Sequence, residues 1–162
     1  MTGASPMDTT VDCLAFNPED SGAFMTTGPR VLRLWKMHKE TEALMAVDLT
    51  PKDETSHTIY THHAWLQEGR VAVTTDDGRI LLVSAAQAAV KKVLPAAEDG
   101  LGHLEIQAMQ HGFITITQSY ELLLYEVGGG EFQGPARSSM RIADVWRQNE
   151  RPARARHALT CP

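Results

Sequence analysis

At 162 residues, 43% hydrophobic and 22% charged, the chain has the makeup of an ordinary globular domain with enough apolar material for a core. A formal net charge of -5 argues against a dedicated nucleic-acid surface, which needs clustered positive charge to displace phosphate counterions. No stretch approaches the roughly 18 apolar residues of a membrane-spanning helix, and MTGASPMDTT lacks the basic and apolar regions of a targeting peptide.

Residues 1–10 are small, polar and aperiodic, and read as a flexible lead-in. VDCLAF (Val11 to Phe16) is the first predicted strand, stopped by Asn17 and Pro18. EDSG then turns the chain into Ala23 to Thr27, and Gly28 with Pro29 turns it into Val31 to Met37. Three strands joined by links this short fit an antiparallel meander. An outer strand near Ala43 to Leu49 and a charged loop around Pro51 follow.

The second unit opens at Thr61 with HHAWL, a QEGR turn, Val71 to Thr75 and Arg79 to Ser84. The Ala-rich segment Ser84 to Leu94 suits a helix by propensity, while its place in the order suits a fourth, outer strand at Ala89 to Leu94; both readings stay open. The third unit runs Leu104 to Met109, a QHG turn, Phe113 to Thr117, a QSY turn and Glu121 to Val127, and ends at Gly128 to Gly130. Beyond Ser138 the chain is rich in arginine. Ile142, Val145 and Trp146 suit a short amphipathic helix or an edge strand, and ALTCP at the end resembles LAFNP (Leu14 to Pro18), as if a further unit were beginning.

These units align. TGPRVLRLW, TDDGRILLV and TQSYELLLY each start on a Thr (Thr27, Thr75, Thr117) and end eight positions later on a bulky residue (Trp35, Val83, Tyr125). The starts lie 48 and 42 residues apart, close to the 40–45 residues of one four-stranded blade in a propeller of WD-repeat type. The fold class expected is therefore all-β: a partial WD-repeat β-propeller of about three four-stranded antiparallel blades, at about 11–50, 60–95 and 103–136, with a basic segment over 138–162. The second and third strands of each unit are nearly continuous apolar runs, as strands covered on both faces are. Closed propellers have at least four blades, so further blades or a partner chain are expected to complete this one.

The candidate chemical groups read as structure. His62 and His63 are adjacent and so point to opposite faces of a strand, with no His or Cys at i+2 or i+4 to complete a metal set. Cys13 and Cys161 are far apart with no CxxC pair, which suggests neither a zinc site nor a disulfide framework and fits a reducing, cytoplasmic setting. Asp76 and Asp77 before Gly78, and Glu19 and Asp20 before Ser21 and Gly22, fall where hairpin turns want them, not where an acid–base pair would sit. Gly128 to Gly130 lacks the GK[ST] of a phosphate cradle, and no GxSxG nucleophile motif occurs. Trp35 and Trp65 are expected in the core between blades. Arg141, Arg147, Arg151, Arg154 and Arg156 form a candidate surface for an acidic protein partner. No cofactor, nucleic acid or membrane is called for.

CLAFNPED (Cys13 to Asp20), FMTTGPRVLRLWK (Phe24 to Lys36) and above all YTHHAWLQEGRVAVTTDDGRILLV (Tyr60 to Val83) resemble the WD-repeat region of the cilia- and flagella-associated proteins that tether inner dynein arms. The resemblance covers about residues 11–127, lacks the usual GH and WD dipeptides, and has LWK at Trp35 as their nearest remnant. It implies a non-enzymatic scaffold of the ciliary axoneme whose partners are axonemal or dynein-arm proteins. The rival expectations are a generic cytosolic WD-repeat adaptor and a small α/β enzyme that uses Ser84 to Leu94 as a helix.

Overall fold

The structure, a computed structural model, describes residues 10–51, 57–96, 100–126 and 139–141. Among these the regular structure is extended, apart from one tight 3-10 turn at Gln67–Gly69. Strands β1 (Cys13–Asn17), β2 (Asp20–Gly28), β3 (Val31–Met37) and β4 (Leu44–Asp48) pair in that order as sheet 1. Sheet 2 holds β5 (Tyr60–Leu66), β6 (Arg70–Thr75), β7 (Ile80–Ser84) and β8 (Ala89–Leu94). Sheet 3 holds β9 (His103–Met109), β10 (Gly112–Thr117), β11 (Glu121–Glu126) and β12 (Ser139–Arg141). Every pairing is antiparallel between sequence neighbours, so each sheet is a meander of four strands.

The segment open to two readings is a strand. Ala88 has φ of 47°, which a right-handed helix does not accommodate, and it ends the turn that sends Ala89–Leu94 back along β7. The helix that an α/β enzyme would have needed from Ser84 to Leu94 is thus absent; sheet pairing overrides alanine's helical preference. The fourth strand of sheet 3 comes later than the repeat spacing placed it, at Ser139–Arg141, within the basic segment. Residues 1–9, the Gly128 to Gly130 link, Ile142, Val145, Trp146 and the ALTCP end lie outside the described residues.

Sheet 2 lies between the other two, and strand alternation sorts its side chains into two cores. Val71, Val73, Leu81 and Val83 join Met25, Leu32 and Leu34 of sheet 1, with Tyr60 and Trp65. Ala72, Ile80 and Leu82 join Ile106 and Phe113 of sheet 3, with Ala64, Leu66 and Leu94. Successive residues of β6 and β7 therefore serve different interfaces, which accounts for the unbroken apolar runs of VAV and ILLV.

Polar contacts fix how the sheets sit. Trp65 Nε1 donates to the Ala15 carbonyl at 3.0 Å, carrying the indole across from β5 to β1. The Glu19 carboxylate accepts the Glu68 and Gly69 amides at 3.3 and 3.2 Å, clasping the β1–β2 turn onto the β5–β6 turn. The Arg30 amide donates to the Thr58 carbonyl at 3.1 Å. Between sheets 2 and 3, His103 Nε2 donates to the Gly78 carbonyl at 3.0 Å. Gly78 has φ of +82°, and a Cβ there would run into the Leu101 carbonyl, so only glycine allows the approach.

Trp65 both fills the first core and makes an inter-sheet hydrogen bond. Trp65→Ala is expected to cost about 3–5 kcal/mol in denaturant unfolding, from lost transfer energy and the cavity left behind. Trp65→Phe should cost less, since the ring volume is largely kept while the bond to Ala15 is lost.

Candidate interaction surfaces

Pairing register tests the alignment residue by residue. Trp35 faces Phe24, Val83 faces Val71 and Tyr125 faces Phe113, so the three bulky residues hold one position in their sheets. Two of the three threonines also match. Thr75 Oγ1 donates to Asp77 and contacts the Arg79 carbonyl, while Thr117 Oγ1 contacts Ser119 Oγ at 2.7 Å and accepts the Glu121 amide at 3.2 Å; each clasps its own three-residue turn.

Thr27 does not match them. It lies three residues after Phe24, whereas Thr75 and Thr117 lie four after Val71 and Phe113, so Gly28 takes the equivalent place. Two causes combine. The turn at Pro29 and Arg30 is one residue shorter than its counterparts, and a Cβ at position 28 would strike the Thr10 carbonyl. The equal spacing of eight in this stretch is a coincidence of a shifted Thr and a shortened turn.

Freed from the turn, Thr27 points into the junction with sheet 2, where its hydroxyl lies 3.1 Å from His63 Nδ1. Burial, with a smaller contribution from neighbouring His62, lowers the His63 pKa from 6.5 to about 4. Cys13 pairs with Thr27 across β1 and β2, and burial raises its thiol above the ordinary value, outweighing the hydrogen bond from the His63 backbone. A thiolate–imidazolium pair needs both shifts the other way, so this cluster packs a junction and does not supply a nucleophile. Among the described residues no three His, Cys, Asp or Glu side chains are grouped to hold a metal ion.

The acidic turn residues also act locally. Partial burial pushes the Asp77 carboxyl up, but hydrogen bonds from Thr75 and Arg79, with the Arg79 charge 2.7 Å away, hold it below its ordinary value. Asp76 accepts the Ile59 amide at 3.1 Å, and Asp20 accepts the Gly22 amide at 3.0 Å.

What remains available is surface. On the face of sheet 1 turned away from sheet 2, Phe16, Phe24 and Trp35 form a ladder with centroid separations of 5.3 and 5.7 Å, and Trp35 Nε1 donates to Thr26 at 3.0 Å. Phe16 is 59% exposed, Leu14 52% and Leu44 56%, so the ladder sits in an open apolar face. Trp35 is therefore not a core residue between the described sheets, as the apolar run around it suggested; its register turns it outward. At the other end of the stack, Ile114, Ile116, Leu122 and Leu124 line the outward face of sheet 3, half-buried. Arg141 lies on β12, its backbone paired with Glu121, and Arg147, Arg151, Arg154 and Arg156 lie outside the described residues.

The His63 shift sets a pH dependence. Above pH 6.5 the imidazole is neutral both folded and unfolded; below it the unfolded chain binds the proton first, so acid withdraws stability until the folded ring also titrates near pH 4. Denaturant unfolding should lose about 3 kcal/mol across this window through His63. His63→Gln should flatten that part of the profile.

No protein-family model and no curated protein sequence matches the chain. Solved structures do. The structure titled "Structure of U3-55K" superposes with a TM-score of 0.62 at 12% identity, over 85% of this chain and 41% of that one. The "Crystal structure of RRP9 WD40 repeats" gives 0.62 at 11% identity, over 85% of this chain and 40% of that one. The chain thus spans about two fifths of the length of these neighbours. With its three antiparallel four-stranded sheets, the chain has the fold of part of a WD40 β-propeller.

Proposed function

We propose that this chain is a non-enzymatic protein-interaction scaffold, and the observation that carries this reading is the aromatic ladder Phe16–Phe24–Trp35, exposed at Phe16 and half-buried at Phe24 and Trp35, on the outward face of a sheet stack with two cores. Aromatic surface on a pre-formed sheet binds protein at small entropic cost, because little is left to order when the partner arrives. The described polar clusters each have a local structural task, which leaves presentation of surface as the use of the fold. WD40 neighbours of known structure support a scaffold of this type.

The setting proposed is the ciliary axoneme, with the scaffold positioning dynein-regulatory proteins; it rests on the resemblance of Tyr60 to Val83. Arg141, Arg147, Arg151, Arg154 and Arg156 would add a salt-sensitive contact to an acidic partner. A cytosolic adaptor is the alternative where the fold serves the same use in another place.

Proximity labelling of the tagged full-length chain in ciliated cells separates these. Enrichment of axonemal proteins, reduced by changing the five arginines to Glu and by added salt in pull-downs, is the expected result. Labelling confined to nuclear or secretory proteins would overturn the ciliary setting, and an absence of any partner lost on Trp35→Ala would overturn the scaffold.

A further inference from the structure

Among the described residues, the outward faces of sheets 1 and 3 are matching halves of the contact already made twice inside the stack. In sheet 3, the stacked pair Phe113 and Tyr125, 4.7 Å apart, faces sheet 2. Register puts Phe24 and Trp35 of sheet 1 in the same two positions, also stacked, but on the outward face. The face that receives Phe113 on sheet 2 is built from Ala72, Thr74, Ile80 and Leu82. Counting from the same anchors, sheet 3 carries Ile114, Ile116, Leu122 and Leu124 at those positions, and they point outward. One end of the chain thus offers an aromatic face and the other an aliphatic face of the kind such an aromatic pair is seated on.

We propose that a second copy of this chain covers both faces head to tail, with the Phe16–Phe24–Trp35 ladder of each copy packed on the Ile114, Ile116, Leu122, Leu124 face of the other. This rests on the scaffold reading and narrows it, naming a second copy of the chain as the protein that the Phe16–Phe24–Trp35 ladder takes, and it is independent of the ciliary setting. A contact between two different faces either repeats into a filament or closes on itself. Two copies joined at both ends satisfy both faces at once and leave no apolar end, so the closed pair is favoured over the open chain. It continues the packing direction that already runs from sheet 1 through sheet 2 to sheet 3.

The test is the mass in solution, by light scattering on a sizing column, of the full chain and two blocked variants. Leu14→Glu with Phe16→Glu blocks the first face at exposed positions; Leu122→Lys with Leu124→Lys blocks the second. Expected are a two-copy mass for the unaltered chain, a single-copy mass for each variant, and recovery of a two-copy species when the variants are mixed, because the mixture restores one intact contact. Should the lysine pair abolish cooperative thermal unfolding, Leu124→Thr replaces it, with weakened pairing expected.

A chain that stays single at its highest soluble concentration while melting cooperatively overturns the proposal, as does a pair untouched by the glutamates or a mixture that stays single. The first of these leaves the scaffold reading standing, since partner capture tests that separately.

Discussion

Everything in this structure depends on β6 and β7 of sheet 2 having no wet face. Val71, Ala72, Val73, Leu81 and Val83 are fully buried, and no single partner can cover both sides of the strands that carry them. A strand with apolar side chains in both directions demands a layer above and a layer below, and sheets 1 and 3 are those layers. The flanking sheets repay this asymmetrically, each offering one apolar face inward and leaving the other to its surroundings. The architecture is then a stack with a saturated centre and two unsaturated ends, and the apolar ends follow from the same pattern that makes the centre stable.

Burial of this kind is non-directional, so something else must set the angles between layers. The inter-sheet hydrogen bonds do so from both edges of the stack. The Glu19 carboxylate grips the β5–β6 turn at one end of the strands, while Arg30 to Thr58 and His103 to Gly78 act at the other. Trp65 and the Thr27–His63 pair lie between them. Each ties a turn or strand of one sheet to its neighbour in sequence order, and the Trp65, Thr27–His63 and His103 contacts also pair polar groups that the layers cover.

The strands were legible in the sequence because turn chemistry punctuates them. Val31–Met37 and Ala89–Leu94 have the bounds that pattern and position imply, the second despite an alanine content that favours helix. What sequence spacing missed was phase. Thr27 and Trp35 keep the interval seen in the other units only because a Thr one residue early is followed by a turn one residue short, and the early position puts Thr27 on the opposite face as a partner of His63. Spacing counts residues, whereas facing depends on pairing, and a tight turn changes one without the other. Trp35 was misplaced for a related reason: an apolar run shows that a strand has two covered sides or one very apolar side, and the run alone does not distinguish them. The clasp by Glu19 left no signal, since an acidic residue in a turn looks the same whether it faces water or another turn. The arginines proposed to meet an acidic partner remain a reading of composition, with only the backbone of Arg141 among the described residues.

The division of β6 and β7 between two cores also bears on how the protein opens. Among the described residues the two cores each join neighbouring layers, so energetics of nearest-neighbour type apply and loss of structure starts at an outer layer and moves inward. Sheet 2 cannot open until one flank has left. The amides of β6 and β7 should therefore be the slowest among the described residues to exchange with solvent hydrogen, and those of β4, exposed along its length, among the fastest. Breathing of an outer layer bares Met25 and Leu34, or Phe113, together with the sheet 2 side chains packed against them, which makes the outer layers the places where a chaperone or protease meets this fold first.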